Sequence, residues 1–440
     1  MIKAGFSKVD ITPPLGSPIA GYYNQRLAEG ILDPLDLIGV AFNDGENTAV
    51  LLVADLIGFY EVESTKLRRR IAKEVNIPEE NVLIHCLHQH TSVMLGFAPH
   101  LYNSTSYNRF EDAAFYDVIY RKFIDVAKMS IDDLKEAEVS VGAKETTEPI
   151  SFIRRFLMKD GSSATNPGSK RLDEVVRPIG EADNTVRLVR FKRQQANDIA
   201  FVNFSTHPDV IGGKKFSADW PGFARRFVEK DLEDVSCVLV NGPQGDTNHY
   251  NIYNMRGGYD HSKFMGRTIA NAVLDIWDKT ETINASPITA QYSLEHIPTS
   301  TKNIDKIKEY SEMKEQYLAG KLKFSGMEFR ADVYRVSGLY DQTLFQKVPV
   351  SVLGLGDIIL AGFGGEAFTQ YAKACRDAAP NHFVIGVTLL NGDQGYLPTT
   401  EAYEQGGYEA CSSPFQSCLA EQLQSAAIEM INNHKNKKSL

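Results

Sequence analysis

The chain has 440 residues, 43% hydrophobic and 23% charged, with a net charge of −9. That balance is ordinary for a globular protein and excludes a disordered or collagen-like chain. The acidic balance lacks the electrostatic footprint of a phosphate-backbone binder, so no nucleic-acid partner is expected.

Nothing apolar runs for the roughly 18 residues a membrane span needs, so no stable membrane insertion is expected. The opening MIKAGFSKVDITPPLG lacks the basic and then apolar pattern of a signal peptide. A cytoplasmic protein is the expectation, with a removed leader as the alternative. Five cysteines and no CxxC pair argue against a disulfide framework or a thiolate zinc knot.

Taken in chain order, short apolar runs recur: ENTAVLLVADLI, NVLIHCLH, DIAFVNFSTHP, VSCVLVNG, DIILAGFGG and HFVIGVTLLNG. Most are rich in Val, Ile and Leu and end in Gly, Pro, Asp or Asn, as strands buried on both faces do. Helical patterns lie between them. STKLRRRIAKEV opens with Ser64 and spaces Leu67 and Ile71 at i, i+4. WPGFARRFVEKDLE, GGYDHSKFMGRTIANAVLDIWDK and EAFTQYAKACRDAAP read alike. The alternation predicts an α/β layered fold with a central mixed sheet flanked by helices. The charged segment IDKIKEYSEMKEQYLAGKL predicts an exposed helix, with Gly320 as a break. It is read as a helical insertion at about 302–334 within one domain spanning 1–440.

Five stretches carry candidate chemistry. IHCLHQHTS places His85, His88 and His90 within six residues. In an extended strand, His88 and His90 share a face and can present imidazoles to one metal. FVNFSTHPDV sets His207 at a strand end, where Pro208 holds it toward extended geometry. IILAGFGGEAF ends in Glu366, an acid read as opening a helix. Two histidines and one glutamate leave a coordination position open, which is the pattern of a catalytic zinc site. VNGPQGDTNHY carries Asp246 and Asn248 in a polar turn that either lines the same cleft or is an Asx-type turn. LNGDQGYLPTTEAYEQGGYEA is dense in tyrosine: Tyr396, Tyr403 and Tyr408 are packing residues, metal-binding phenolates or oxyanion donors.

In this order the segments resemble the neutral/alkaline, non-lysosomal ceramidase family. GFSKVDITPPLGSPIAGYYNQ is similar to its N-terminal signature, HQHTS to its His-x-His-Ser motif, and STHPDV with SADWPGFARR to its second histidine motif. GPQGDTN resembles its Gly-Asp-x-Ser-Pro-Asn turn, and GYLPTTEAYEQGGYEA its Tyr-x-x-Thr-x-x-x-Tyr-x-x-x-x-Tyr-Glu pattern. The resemblance runs from about Gly5 to Glu409. It implies hydrolysis of an N-acyl amide with one zinc ion per chain, held by His88, His207, Glu366 and Tyr396. It further implies His90 and Tyr408 as partners of the attacking water or the oxyanion. The family's arginine falls at Arg154, with Arg155 adjacent. Thr91-Ser92 stand where the family has Ser-Gly, and Asn248 stands at its serine. The chain stops where the family's additional C-terminal β-sandwich would begin.

The expected activity is therefore zinc-dependent cleavage of a linear, non-peptide amide in a small-molecule or lipid-like acyl substrate, with His90, Arg154 and Tyr408 catalytic. Asp246, Asn248 and Tyr403 are the candidate substrate contacts. One alternative keeps the metal and opens an ester, a lactone or a small polar or sugar-linked group. Another is a catalytically inactive binding protein. The sequence leaves the oligomeric state open.

Overall fold

The computed structural model describes residues 2–95, 110–338 and 345–438. One large mixed sheet runs, edge to edge, through Val235–Asn241, Asp198–Phe204, Thr185–Arg193, Lys135–Glu145, Lys3–Asp10, Asp36–Asn43, Thr48–Ala54 and Val82–Cys86. Its inner pairings are antiparallel, whereas both outermost pairings are parallel. A parallel pair needs a crossover. Helices Glu61–Val75 and Asp219–Asp231 occupy the two crossover segments.

Strand Thr48–Ala54 shows why the runs are continuously apolar. Ala49, Leu51 and Val53 enter one core, and Val50, Leu52 and Ala54 enter the other. Both faces of the strand are buried, with successive residues alternating between them. Helices Glu61–Val75 and Phe110–Asp132 supply Leu67, Ile71, Ile119 and Phe123 to the second of these cores. The first includes Trp220, Val228, Met265 and Val273 of helices Asp219–Asp231 and Tyr259–Ile276. Each fully buried side chain of this kind contributes about 1.5–3 kcal/mol.

A second sheet, ordered Ile288–Pro298, Phe345–Leu355, Ile358–Phe363 and Phe383–Val387, joins the first core through Leu353, Leu355, Ile358 and Leu360. Its other face meets helices Thr369–Ala378 and Leu419–Lys438 through Val350, Ile359, Phe363, Tyr371 and Leu423. Strands Ile358–Phe363 and Phe383–Val387 are again parallel, with helix Thr369–Ala378 between them in the chain. The chain thus builds three strand–helix–strand units, and the layered α/β architecture read from the sequence is the one found.

The two edges of the large sheet approach one another. His85, on strand Val82–Cys86, accepts a hydrogen bond at Nε2 from the backbone N–H of Asn241, 3.0 Å away, on the opposite edge strand. Asn241 Nδ2 also donates to the Leu87 carbonyl at 3.3 Å. This closure brings the segments after Cys86 and after Phe204 together.

Two local readings change. The first helix starts at Glu61, and Ser64 lies buried within it. Glu366 does not open a helix: it pairs with Tyr396 in a two-residue parallel ladder, and the helix begins at Thr369. Asp246 supplies the cap there, accepting from the Thr369 N–H at 2.8 Å and its hydroxyl at 2.9 Å. Helices Ile307–Leu318 and Met327–Ser337 occupy most of 302–334 and enclose a small core of Tyr310, Val333 and Val336. Gly320 has φ +71°, a left-handed conformation that ends the first of them. No helix among the described residues is long and apolar enough to cross a membrane.

Candidate metal centre

The centre forms where the three strand–helix–strand units deliver polar residues beyond their strands. His88 follows strand Val82–Cys86 with φ +74°, a sparsely populated conformation for a non-glycine residue, and such strain gathers at functional sites. The loop is held there from several sides. The His88 N–H donates to the Leu56 carbonyl at 2.9 Å and the His90 N–H to the Pro208 carbonyl at 3.1 Å. Gln89 Nε2 donates to Asp55 at 2.7 Å, and the Asp55 carboxylate is itself paired with the buried Arg225. Arg26 donates to the His90 carbonyl at 2.8 Å.

His88 and His90 are neighbours because of this turn, not because they alternate along a strand. Their rings stand 5.1 Å apart, and His88 and His207 are also 5.1 Å apart. His90 Nε2 lies 3.0 Å from His207 Nε2. His85 belongs elsewhere, at the closure between the sheet edges.

Glu366 Oε2 stands 3.4 Å from His88 Nε2 and 3.8 Å from His207 Nε2. This oxygen is buried and has no hydrogen-bond partner. A donor and an acceptor buried together without a proper bond are costly unless something else satisfies them. Ligand atoms at roughly 2.0–2.1 Å from one tetrahedral ion stand about 3.3 Å apart, just below the separations here. His88 Nδ1 lies 2.8 Å from the Ile57 carbonyl. A proton on Nδ1 leaves the Nε2 lone pair directed at the centre. His88, His90 and His207 likewise offer three buried nitrogens within 4.8 Å of one another. The residues present can therefore hold a metal ion.

Electrostatics divide the imidazoles. Burial depresses His88, but the Glu366 carboxylate beside it outweighs burial and brings it to about 9. Burial drives His90 and His207 well below the usual histidine range, helped by the neighbouring cationic groups. Neutral imidazoles are the form that binds metals, so a metal bound at His88 would displace the proton that the Glu366 carboxylate otherwise holds there.

Tyr396 is placed beside Glu366 by the two-residue ladder. Burial keeps its phenol protonated, while the Arg154 guanidinium, 5.2 Å over its ring, works in the opposite direction. Arg154 is fixed by Glu409 at 2.7 Å and by the Gly245 carbonyl at 2.7 Å. Arg155 instead lies over Phe368 and reaches Gln405. Tyr408 lies 5.5 Å from Tyr396, ring to ring, and its hydroxyl is 3.2 Å from that of Tyr23. His88, His90, Glu366, Tyr396 and Tyr408 share the wall of one cavity of about 70 Å³ with Tyr22, Tyr23, Tyr60 and Asp393.

Five of the sequence candidates do not line this cavity: His207 and Arg154, which border the centre through Glu366 and Tyr396, and Asp246, Asn248 and Tyr403. Asp246 caps helix Thr369–Ala378. Asn248 pairs with Phe152 and donates to Asn166 at 3.1 Å, behind the Arg154 segment. The Tyr403 hydroxyl is 2.7 Å from that of Ser413, which donates to the Tyr396 carbonyl at 2.9 Å.

Other residues belong to the site without having been singled out. Asp209 Oδ1 lies 3.7 Å from His90 Nδ1 and accepts from the Tyr22 hydroxyl. Glu409 holds both arginines. Asp393 contributes a buried Oδ2 without a partner. Asp209 follows His207 by two residues and Glu409 follows Tyr408 directly, so proximity to a motif was their one sequence signal.

Comparison with family profiles and with curated proteins gives no match. Solved structures do match. The chain is similar to a ceramidase complexed with C2, at a TM-score of 0.74 and 14% identity, covering 99% of this chain and 75% of that one. It is equally similar to the neutral ceramidase of Pseudomonas aeruginosa, at a TM-score of 0.74 and 15% identity with the same coverage. At such identities the likeness establishes the fold, which is that of the neutral ceramidases.

Proposed function

We propose that the protein is a zinc-dependent, ceramidase-like hydrolase that cleaves a linear, non-peptide N-acyl amide. The observation that carries this reading is the convergence of His88, His207 and Glu366 from three separate strand–helix–strand units, with Tyr396 laddered beside the glutamate. Imidazole nitrogens with a carboxylate suit zinc, and Tyr396 would add a fourth protein ligand. When bound, zinc supplies Lewis-acid polarisation of the carbonyl and a water of lowered pKa.

The chain's own residues perform the remaining work. His90 Nε2 takes the proton of the attacking water and returns it to the leaving amine. The Asp209 carboxylate, 3.7 Å from His90 Nδ1, would favour the imidazolium that forms when His90 takes that proton. Tyr408 donates to the developing oxyanion, and the Arg154 charge, pinned by Glu409, stabilises it and favours the anionic form of Tyr396. Asp246, Asn248 and Tyr403 act as positioning residues behind Glu366, Arg154 and Tyr396.

One observation favours a second ligand set. His90 approaches His207 as closely as a co-ligand does, so three imidazoles could carry the ion, with Glu366 acting as the base. The test is metal content and turnover of matched amide and ester substrates, with and without chelator. We expect one zinc per chain, chelator-sensitive amide cleavage, and at least tenfold weaker zinc binding in His88→Ala. Unchanged zinc affinity in that variant removes His88 from the centre, and an ester-only preference changes the bond. A protein that takes up no zinc and turns over neither substrate is a binding protein.

A further inference from the structure

The cavity over the centre is small and roofed. Its volume of about 70 Å³ compares with roughly 300–1,000 Å³ for pockets that enclose drug-sized ligands. Helix Met327–Ser337 contributes Ala331, Tyr334 and Arg335 to its wall, which His88 and His90 also line. The roof is fastened on several sides. The Tyr334 ring meets Tyr23 edge-on at 4.6 Å, and Tyr23 in turn reaches the Tyr408 hydroxyl. Arg330 lies over the other side of this cluster, 4.6 Å from the Tyr23 ring centre. Arg335 donates to the Cys411 carbonyl at 3.1 Å and the Lys302 carbonyl at 3.0 Å, and pairs with Asp332. Widening the chamber would break this set of contacts together.

The lining mixes tyrosine rings with the charged Arg335, Glu366 and Asp393. Arg335 is buried, and its Nη1 has no hydrogen-bond partner.

Resting on the amide-hydrolase reading above, we infer that the roofed chamber restricts the substrate to N-acyl groups of about acetyl size and excludes long fatty-acyl chains. Helix Met327–Ser337, through Tyr334 and Arg335, is the specificity element.

The experiment is calorimetric titration of the zinc-loaded protein with acetohydroxamate and octanohydroxamate, alongside hydrolysis of acetyl and octanoyl p-nitroanilides. In an open apolar groove the longer ligand binds more tightly, because each added methylene buries apolar surface. The inference predicts the reverse order, with acetohydroxamate at least tenfold tighter, and predicts that Tyr334→Ala narrows or inverts the ratio. Tyr334→Phe, which keeps the ring, should retain the wild-type ratio even if the alanine variant folds poorly. Equal or tighter binding of octanohydroxamate overturns the inference, and so does binding of neither. Failure of the hydrolase reading is distinct: acetohydroxamate binds with the predicted preference, yet neither anilide is cleaved.

Discussion

His90 and His207 present facing nitrogens 3.0 Å apart, and the account gives them different work: His207 holds the ion and His90 moves a proton. Replacing His90 by glutamine, which keeps a polar side chain but cannot shuttle a proton at neutral pH, separates the roles. We expect zinc content to stay at one per chain while kcat falls by about 10²- to 10⁴-fold. Elemental analysis and steady-state kinetics on the same preparation check this. Loss of the zinc together with the activity would instead place His90 in the coordination sphere. The sequence held the residue types for this site, because strand-end polar residues after apolar runs stand out. It did not hold the assignment of roles. Asp209, Tyr22 and Glu409 act through contacts with residues up to 255 positions away in the chain, and no periodicity carries such information.

Three strand–helix–strand units account for the placement of the candidate metal ligands, and each could be anticipated from apolar runs alternating with helical patterns. Their convergence could not. It depends on the curl of the large sheet, recorded where His85 accepts from Asn241 across the two edges. Burial lowers the His85 imidazole to about 3, and its role as an acceptor likewise requires the neutral ring. The unfolded chain takes up a proton near pH 6.5, whereas the folded protein refuses it until about pH 3. The stabilisation is therefore complete above about pH 6.5 and is lost progressively as pH falls through that window, at about 1.4 kcal/mol per pH unit. In urea unfolding at pH 7 and pH 5, the wild type should lose about 2 kcal/mol more than His85→Gln, whose amide oxygen can accept the same bond without titrating. Equal pH dependence of the two proteins would mean that His85 is protonated in the fold. The sequence grouped His85 with His88 and His90 by spacing alone, yet the strand ends between them at Cys86 and the left-handed turn at His88 sends them to different tasks.

As a whole, the molecule is an open sheet whose two edges approach one another, a second sheet packed against it, and helices outside, with the site set where the strand–helix–strand units meet. This arrangement matches the neutral ceramidases along nearly the full chain at 14–15% identity. The same fold is thus reached by a chain that no family profile matches. The layered α/β class was readable because buried strands must be apolar throughout. The narrow chamber was not, because it is made by side chains of helix Met327–Ser337, whose charged surroundings read as an exposed insertion. The most direct measurement is anomalous diffraction at the zinc edge from crystals of the zinc-loaded protein. The account predicts one strong peak per chain, within bonding distance of His88 Nε2, His207 Nε2 and a Glu366 carboxylate oxygen. A map with no peak there, or with its peak at other residues, would contradict it.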